Sequence, residues 1–153
     1  MSTSTRLATP DDAELVARML HEFNVEFGTP TPGVAFLTDR CRELIDAEEA
    51  TIVLGGDPPL GLGVLFFRPS LWSQGLEVYL AELYVVPDHR DEGIGGAIMD
   101  TAMQLSRERG ATDMQIGVDE PDVDARRFYE RLGFRNHDPE DPTARMFFYE
   151  REL

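Results

Sequence analysis

Residues 83–97 join a β-branched strand to a glycine-rich helix start through a short turn, and this junction suits anion chemistry. It contains the pattern Arg-x-x-Gly-x-Gly, formed by Arg90, Gly93 and Gly95. The first N–H groups of a helix have no partner inside the helix and lie at the positive end of its dipole, so they bind phosphates well. Glycine lets a ligand approach the backbone and permits positive φ. The junction therefore predicts a phosphate-binding loop.

Two common kinds of phosphate loop do not fit these residues. A P-loop would carry Lys-Ser or Lys-Thr after its last glycine, but Gly95 is followed by Gly96 and Ala97. A dinucleotide fingerprint beginning at Gly93 would need glycine or alanine at position 98, which is Ile98. The residues therefore fit neither a P-loop nor a dinucleotide-binding loop, and the type of phosphate ligand has to be inferred from other segments of the chain.

A second segment, residues 124–134, combines a short amphipathic helix with a glycine stop. Ala125, Phe128 and Leu132 recur on one face at helical spacing. Gly133 follows in the position that ends many helices, and Phe134 begins an extended stretch. The pattern predicts a short helix that stops at the glycine.

In this order and at this separation, the two segments resemble the motifs of the GNAT superfamily of acetyl-CoA-dependent N-acetyltransferases. Residues 90–95 resemble its acyl-CoA pyrophosphate loop. Ala125, Tyr129, Gly133 and Phe134 resemble its A-x-x-x-Y-x-x-x-G-F element. The resemblance implies the α+β GNAT fold, in which helices flank a mixed central β-sheet. It also implies transfer of an acetyl group from acetyl-CoA to a primary amine by direct attack on the thioester.

The resemblance also assigns binding of the cosubstrate acetyl-CoA to particular residues. Backbone N–H groups near Val85 and Val86 would bind the pantetheine arm and the thioester carbonyl. Tyr129 would lie near the thioester sulfur. The pyrophosphate would bind the loop formed by Arg90, Asp91, Glu92, Gly93, Ile94, Gly95 and Gly96.

Two side chains are candidates for the proton transfers that acetyl transfer requires. Tyr129 is the candidate general acid, because a phenol and a CoA-like thiol have comparable pKa values. The alternative is an aromatic side chain that only packs. Glu82 is the candidate general base, since it is the one acid in the apolar run 78–86, where desolvation would raise its pKa. Alternatively Glu82 is solvated, and Asp119, Glu120 or a water relay accepts the proton.

Three acids depart from the family pattern close to these residues. Asp91 and Glu92 occupy loop positions where glycine or a basic residue is usual, so their charges oppose a phosphate. Asp122 stands where many relatives carry asparagine, and its carboxylate can cap the next helix but cannot donate to the cosubstrate. The departures leave open a non-catalytic acyl-CoA-binding sensor or interaction module. A protein lysine or N-terminal acetyltransferase is a further alternative.

Composition and charge limit the partners. The net charge of −15, from 29 acidic against 14 basic residues, disfavours nucleic acid as a partner. The acid excess either serves solubility or favours a cationic small-molecule amine or a basic peptide as partner. No apolar run reaches the roughly 18 residues of a membrane span, and residues 1–6 lack a signal-peptide core. The single cysteine, Cys41, excludes an internal disulfide. We expect a cytoplasmic protein with no membrane partner and, by family habit, a homodimer.

The histidines and clustered acids do not form a metal-binding pattern. His21 and Glu22 would need a second histidine at position 25, which is Val25. The acids within 119–124 lack the glycine that a calcium loop requires. No metal is therefore predicted.

The surrounding pattern predicts the elements that must position the candidate residues. At 153 residues the chain has the length of one domain, spanning 1–153. Thr9 and Pro10 predict a helix start after a first strand. Apolar periodicity predicts strands at 5–8, 51–54, 60–67, 77–86 and 114–118 and helices at 38–49 and from 93 or 94 to 109. A closing hairpin is predicted from strands 134–137 and 145–152 around a loop at 138–143.

Overall fold

The computed structural model describes residues 2–153, which divide into two compact units. The first unit ends at Ile116 and contains the phosphate-loop motif. The second unit runs from Gly117 to Leu153 and contains the Tyr129 motif. That residues 1–153 form a single domain stays a prediction.

Among its described residues, the first unit contains three helices and five strands in the predicted order. The helices are α1 (Ala13–Glu26), α2 (Val34–Asp46) and α3 (Ile94–Glu108). The strands are β1 (Thr5–Leu7), β2 (Thr51–Gly55), β3 (Gly61–Pro69), β4 (Leu76–Val85) and β5 (Ala111–Ile116). Short 3₁₀ turns lie before α1 and after β4, at Pro10–Asp12 and Pro87–His89.

The five strands form one mixed sheet in the order β1-β2-β3-β4-β5. The first four are antiparallel neighbours, whereas β5 pairs parallel to β4. A parallel pair needs a crossover connection, which α3 supplies. The predicted α+β class with a mixed sheet is confirmed.

A bulge in β4 lies directly before the predicted general base. The pairing between β3 and β4 shifts by one residue at Ala81, so that Glu82 lies opposite Val64. Beyond the bulge, Glu82 and Tyr84 alternate onto the face that α1 covers. Tyr84 stacks there on Phe23 of α1, with 5.1 Å between the ring centroids.

The face of the sheet that α1 and α2 cover holds one core cluster. Val16 and Met19 of α1 are buried in it, as their helical spacing predicts. Cys41 of α2 is also buried, and burial raises the pKa of its thiol. Further buried members of the cluster are Ala13, Ile45, Ile52, Leu54, Leu62, Val64 and Tyr84. This packing makes α1 a firm support for whatever its exposed end contacts.

The opposite face of the sheet packs against α3, and glycines in β2 and β3 make room for the helix. A Cβ added at Gly55 would lie 2.7 Å from Ile98, and one at Gly63 would lie 2.9 Å from the same side chain. Ile98 itself is fully buried. The close approach fixes α3 on the sheet, and with it the loop that leads into the helix.

The connection from β1 to α1 is a turn closed by Asp12. The Asp12 carboxylate accepts the N–H of Thr9 at 2.8 Å and two guanidinium N–H groups of Arg6, also at 2.8 Å each. The hydrogen bonds from Arg6 are the main reason why the pKa of Asp12 falls to about 2. The helix start predicted at Thr9 is therefore a capped 3₁₀ turn, and α1 follows it.

The second helix departs from its predicted bounds of 38–49. Thr38 lies inside α2, where its hydroxyl donates to the carbonyl of Val34 at 2.7 Å. A threonine that bonds back to the preceding turn looks like a helix start in the sequence. The helix ends at Asp46, and Glu48 takes a φ of 56°, a left-handed conformation that cannot continue a helix.

The second unit contains α4 (Val123–Arg131) and a hairpin of β6 (His137–Asp138) and β7 (Asp141–Arg145). The carboxylate of Asp122 accepts the N–H of Ala125 at 3.1 Å, which confirms that it caps α4. Gly133 has a φ of 94°, and its N–H and that of Phe134 donate to carbonyls in the last turn of α4. The predicted glycine stop is confirmed.

The predicted closing hairpin, with strands 134–137 and 145–152, is wrong in its bounds. Strands β6 and β7 pair His137 with Arg145, the N–H of Met146 also donates to the carbonyl of Asn136 at 2.6 Å, and residues 146–153 lie in no strand. The N–H of Phe134 donates to the carbonyl of Tyr129 to close α4. That N–H is therefore not available to a ladder with the apolar residues near the C-terminus.

Metal and membrane features are absent from the described residues. Within 2–153, no three side chains of His, Cys, Asp or Glu come together as a metal ion would require. None of the helices in that range has the length and apolar character needed to cross a membrane.

Candidate active site

The loop between β4 and α3 presents backbone N–H groups at the start of the helix. Asp91 and Gly93 have φ values of 64° and 85°, which turn the chain sharply before α3. The N–H of Ala97 donates to the carbonyl of Gly93 and begins the hydrogen-bonding pattern of the helix. Three N–H groups precede that first helical bond, those of Ile94, Gly95 and Gly96.

The same loop has room for an anion against its backbone. A Cβ added at Gly93 or at Gly96 would meet no other atom within 4 Å. The open space lies at the N-terminus of α3, where the helix dipole favours negative charge. Neutral N–H donors beside open space fit a pyrophosphate group, and the glycine pattern predicted this arrangement.

The two unusual acids of the loop are exposed. The carboxylate of Glu92 lies 2.8 Å from Nδ1 of His89, in the 3₁₀ turn before the loop. This contact gives the Glu92 charge a partner within the same stretch of chain. Asp91, with its left-handed backbone conformation, carries the second negative charge that opposes a phosphate.

The two residues at the end of β4 that are predicted to bind the pantetheine arm, Val85 and Val86, differ in whether their backbone N–H groups are already hydrogen-bonded. The N–H of Val86 donates to the carbonyl of Leu60 at 2.8 Å, so the sheet already uses it. Because N–H groups alternate between the two edges of a strand, the N–H of Val85 is directed to the opposite edge. On that edge, β5 pairs with β4 only as far as Leu80. Val85 is therefore better placed than Val86 to donate to a ligand.

Arg90 binds protein groups in three directions. Its Nε donates to the carbonyl of Val85 at 2.9 Å, and its two terminal nitrogens donate to the carboxylate of Glu26 at 2.7 Å each. Its guanidinium carbon lies 5.6 Å from the centre of the Tyr84 ring. Arg90 thus connects the end of β4 to α1, in addition to its place in the predicted pyrophosphate loop.

Glu26 is a residue that the sequence analysis missed. It lies in the last turn of α1, where a carboxylate opposes the helix dipole. Hydrogen bonds from Arg90 are the main reason why the pKa of Glu26 is lowered. The unfavourable position of the charge was a signal that it needs a cation. Its partner lies 64 residues away, however, so spacing could not identify it.

An open pocket of about 430 Å³ lies between α1 and the end of β4. Its lining residues are His21, Glu22, Val25, Glu26, Tyr84 and Pro87. Burial, followed by the charges of Glu22 and Glu26, raises the pKa of the Tyr84 hydroxyl, and Arg90 acts in the opposite direction. The pocket therefore combines apolar surface with negative charge, which suits a ligand that carries a cation.

Glu82 lies two residues before Tyr84 on β4 and shares its face of the sheet. Burial raises the pKa of the Glu82 carboxyl, in the direction that an isolated acid in an apolar strand predicts. A carboxyl shifted toward neutral pH accepts a proton more effectively. The role of Glu82 as general base stays a prediction.

Tyr129 lies in the last turn of α4, in the second unit. Its ring makes edge-on contacts with Phe128 and Phe134, at 5.3 and 5.7 Å between ring centroids. The ring is thus packed between two aromatic neighbours and is partly exposed. Its roles as general acid and as a contact of acetyl-CoA stay predictions, as do the alternative bases Asp119 and Glu120.

Comparison with known proteins gives a match over most of the chain. A model described as the acetyltransferase (GNAT) family matches residues 16–134. A solved structure from Arthrobacter sp. FB24 that carries an acetyltransferase assignment is 47% identical, covers 98% of this chain and 96% of its own, and superposes with a TM-score of 0.91.

Two further relatives are N-acetyltransferases or acetyltransferases by name. The thialysine N-epsilon-acetyltransferase of Caenorhabditis elegans is 25% identical over 130 residues, or 84% of this chain and 80% of that protein. The streptothricin acetyltransferase of Streptomyces lavendulae is 36% identical over 90 residues, or 58% of this chain and 46% of that protein. The chain thus matches less than half the length of the second relative.

Proposed function

The chain belongs to the GNAT family of acetyltransferases, and we propose that it transfers the acetyl group of acetyl-CoA to a primary amine by direct attack on the thioester. Family membership makes the protein a transferase, which favours the catalytic interpretation over a non-catalytic acyl-CoA sensor. The observation that carries the proposal is the open, glycine-lined start of α3, with its N–H groups at residues 94–96.

The proposed donor, acetyl-CoA, would bind along the end of β4 and the loop that follows. The pyrophosphate would accept hydrogen bonds from the N–H groups of Ile94, Gly95 and Gly96, and the N–H of Val85 would meet the pantetheine arm or the thioester carbonyl. These donors are neutral backbone groups, so no charged group of the protein has to be desolvated at this point when the ligand binds. Binding would depend on the shape of the loop more than on net charge, which is −15 for this chain.

The proposed acceptor is a cationic primary amine. Glu22 gives the pocket beside α1 a negative charge, to which Glu26 adds less because Arg90 binds its carboxylate, and Tyr84 gives the pocket an aromatic wall. The name of the nematode relative specifies an ε-amine of a lysine analogue, thialysine, which belongs to this class of acceptor. A lysine side chain or a peptide N-terminus carries the same chemistry, so the experiment below includes a basic peptide.

The proposed chemistry moves protons at both ends of the reaction. A cationic amine first loses one proton to become nucleophilic, since an ammonium group has no lone pair. Its nitrogen then attacks the carbonyl carbon, a C–N bond forms, and the C–S bond breaks. Glu82 would accept the second proton of the attacking nitrogen, and Tyr129 would protonate the departing sulfur. Glu82 then gives its proton to solvent and Tyr129 takes one back, so the enzyme is restored and the net products are the N-acetyl amide, free CoA thiol and one proton, the one that the ammonium group lost first.

Two measurements test this proposal in sequence. At a hundredfold excess over Kd, acetyl-CoA should stabilise the folded chain by about 2.7 kcal/mol, a shift of about 5–10 °C in Tm. Release of free thiol would then be followed with thialysine, lysine, a polyamine, an aminoglycoside and a basic peptide as acceptors. Turnover of the free amines supports the proposed acceptor, whereas turnover of the peptide alone would indicate a protein acetyltransferase.

A Tyr129→Phe variant separates catalysis from binding. It removes the phenolic proton but keeps the ring that packs against Phe128 and Phe134. We expect kcat to fall by about 100-fold or more while the acetyl-CoA Kd stays unchanged. Unchanged turnover would show that Tyr129 only packs.

A further inference from the structure

Glu26 is shared by the two parts of the proposed site. It lines the pocket beside α1, and it also holds the guanidinium group of Arg90 with two hydrogen bonds of 2.7 Å. We propose that Glu26 is a positioning residue for acetyl-CoA, acting through Arg90 to hold the end of β4 and the start of the loop in the shape that binds the cosubstrate. The inference rests on the proposed function.

The geometry of Arg90 explains how a residue on α1 can set the shape of the loop. A guanidinium group is planar, so two terminal nitrogens bound to one carboxylate also fix the direction of Nε. In this orientation Nε donates to the carbonyl of Val85, which closes the chain between Val85 and Arg90 around the 3₁₀ turn. The contact with Glu26 therefore adds a second constraint on the peptide of Val85, which β3 also holds, and ties the residues leading to Gly93 to α1.

The anchor itself is rigid. Glu26 belongs to a helix whose inner side is buried in the core, and Phe23, one turn earlier, stacks on Tyr84 of β4. Its carboxylate also lies at the negative end of that helix, where a bound cation gains from the dipole. The pair is nonetheless partly solvated, with exposed side-chain fractions of 28% for Glu26 and 39% for Arg90. We therefore expect a moderate effect from its loss.

A positioning role and a simple charge effect predict opposite results. By charge alone, Glu26 repels the phosphates of acetyl-CoA and neutralises a nearby arginine, so its removal should tighten binding. If Glu26 acts through the position of Arg90, its removal should weaken binding, although a negative charge has been taken from the site. The sign of the change in Kd thus distinguishes the two.

The test is a titration of acetyl-CoA into the wild-type protein and a Glu26→Gln variant. We expect Kd for acetyl-CoA, measured in the absence of an acceptor amine, to rise about 5- to 30-fold. Glu14→Gln is the matched control. It also removes a carboxylate from α1, but the ion-pair partner of Glu14 is Arg18, an exposed residue on the same helix. Its Kd should equal that of wild type.

An Arg90→Lys variant tests the geometry from the other side. Lysine keeps the charge but cannot hold Glu26 at two points and Val85 at a third. We expect it to weaken acetyl-CoA binding as much as Glu26→Gln, and we expect the double variant to be no weaker than either single one. Full additivity in the double variant would overturn the inference.

The remaining outcomes are equally decisive. Tighter or unchanged binding by a folded Glu26→Gln variant contradicts the inference but leaves the proposed function intact. If that variant does not melt cooperatively, Glu26→Asp replaces it, and a carboxylate one methylene shorter should weaken binding by a smaller factor. A wild-type protein that does not bind acetyl-CoA overturns the proposed function itself, and the inference with it.

Discussion

The loop before α3 and the pocket beside α1 are adjacent in the first unit, but they are built from different parts of the chain. The loop offers N–H groups of consecutive residues, 94–96, and its chemistry comes from the backbone. The pocket offers side chains from α1 and β4, and Glu26 meets Arg90 across 64 residues of sequence. Backbone chemistry leaves a glycine pattern in the sequence, whereas a side-chain pocket leaves none.

The two regions also have opposite electrostatic character. The loop suits an anion although the chain has a net charge of −15, because the favourable field comes from the local helix dipole. The pocket suits a cation, and there the excess of acid acts in the same direction as the local carboxylates. Except at Glu26 and Arg90, which join the two regions, substitutions in one region should therefore leave binding at the other unchanged.

The largest effect is expected at Glu82, on the strand that joins the two regions. Glu82→Gln should lower kcat/KM by about 100- to 1,000-fold at neutral pH without changing the acetyl-CoA Kd. The base must be ionised to accept a proton, so wild-type activity should rise as pH increases through the raised pKa of Glu82. The variant should lack this rise. Thiol release across a pH series measures both effects.

A carboxylate on the same strand supplies the control for this substitution. Glu77 pairs with Arg68 at 2.7 Å, away from the pocket and the loop, and Glu77→Gln should keep normal turnover. If Glu82→Gln keeps its activity while Asp119→Asn or Glu120→Gln loses it, the general base lies in the second unit instead.

The next largest effect is expected for a substitution that disturbs only the loop and so weakens acetyl-CoA binding. Gly96→Val places a side chain in the open space beside the N–H groups, and its Cβ meets no protein atom within 4 Å. Acetyl-CoA should bind about 100-fold more weakly, whereas Tm should stay within a few degrees. Gly96→Ala should give a smaller loss of affinity in the same titration. Undiminished binding by both variants would show that the pyrophosphate binds elsewhere.

A smaller effect is expected for a substitution in the pocket alone, and it should appear in KM for the amine. Glu22→Gln removes a carboxylate from the lining but keeps the hydrogen bonds between Glu26 and Arg90, so the acetyl-CoA Kd should be unchanged. KM for a cationic amine should rise about fivefold, and the increase should shrink as salt is added. Initial rates at two ionic strengths measure this. An unchanged KM for every amine would place the acceptor outside this pocket.

The smallest effect should appear far from both regions, at Asp12. Asp12→Asn loses the contacts with Arg6 and should cost about 1 kcal/mol of unfolding free energy at neutral pH, with normal turnover. Because the pKa of Asp12 is lowered from 3.8 to about 2 in the folded chain, its contribution is present above pH 4 and disappears toward pH 2. Melting curves of the two proteins should converge over that range. A constant difference would contradict this assignment.

Sequence analysis succeeded where a local pattern has one structural solution. Gly93 adopts a positive φ before α3 and Gly133 adopts one after α4, at the helix ends where the sequence predicts a glycine turn. Asp122 caps α4 as expected. It failed where a local pattern has two solutions. Thr38 looks like a helix start but bonds back into α2, and the apolar residues 146–149 look like a strand but lie in none.

What the sequence determined by itself is the order of the elements, the family, and the glycine turn with its N–H groups at the start of α3. Those features depend on φ preferences, hydrophobic periodicity and helix ends, all of which are decided within a few residues. The tertiary structure decided which side chains meet. The bulge at Ala81 turns Glu82 toward α1, and the packing of α1 brings Glu26 to Arg90, because register and packing depend on contacts between distant segments.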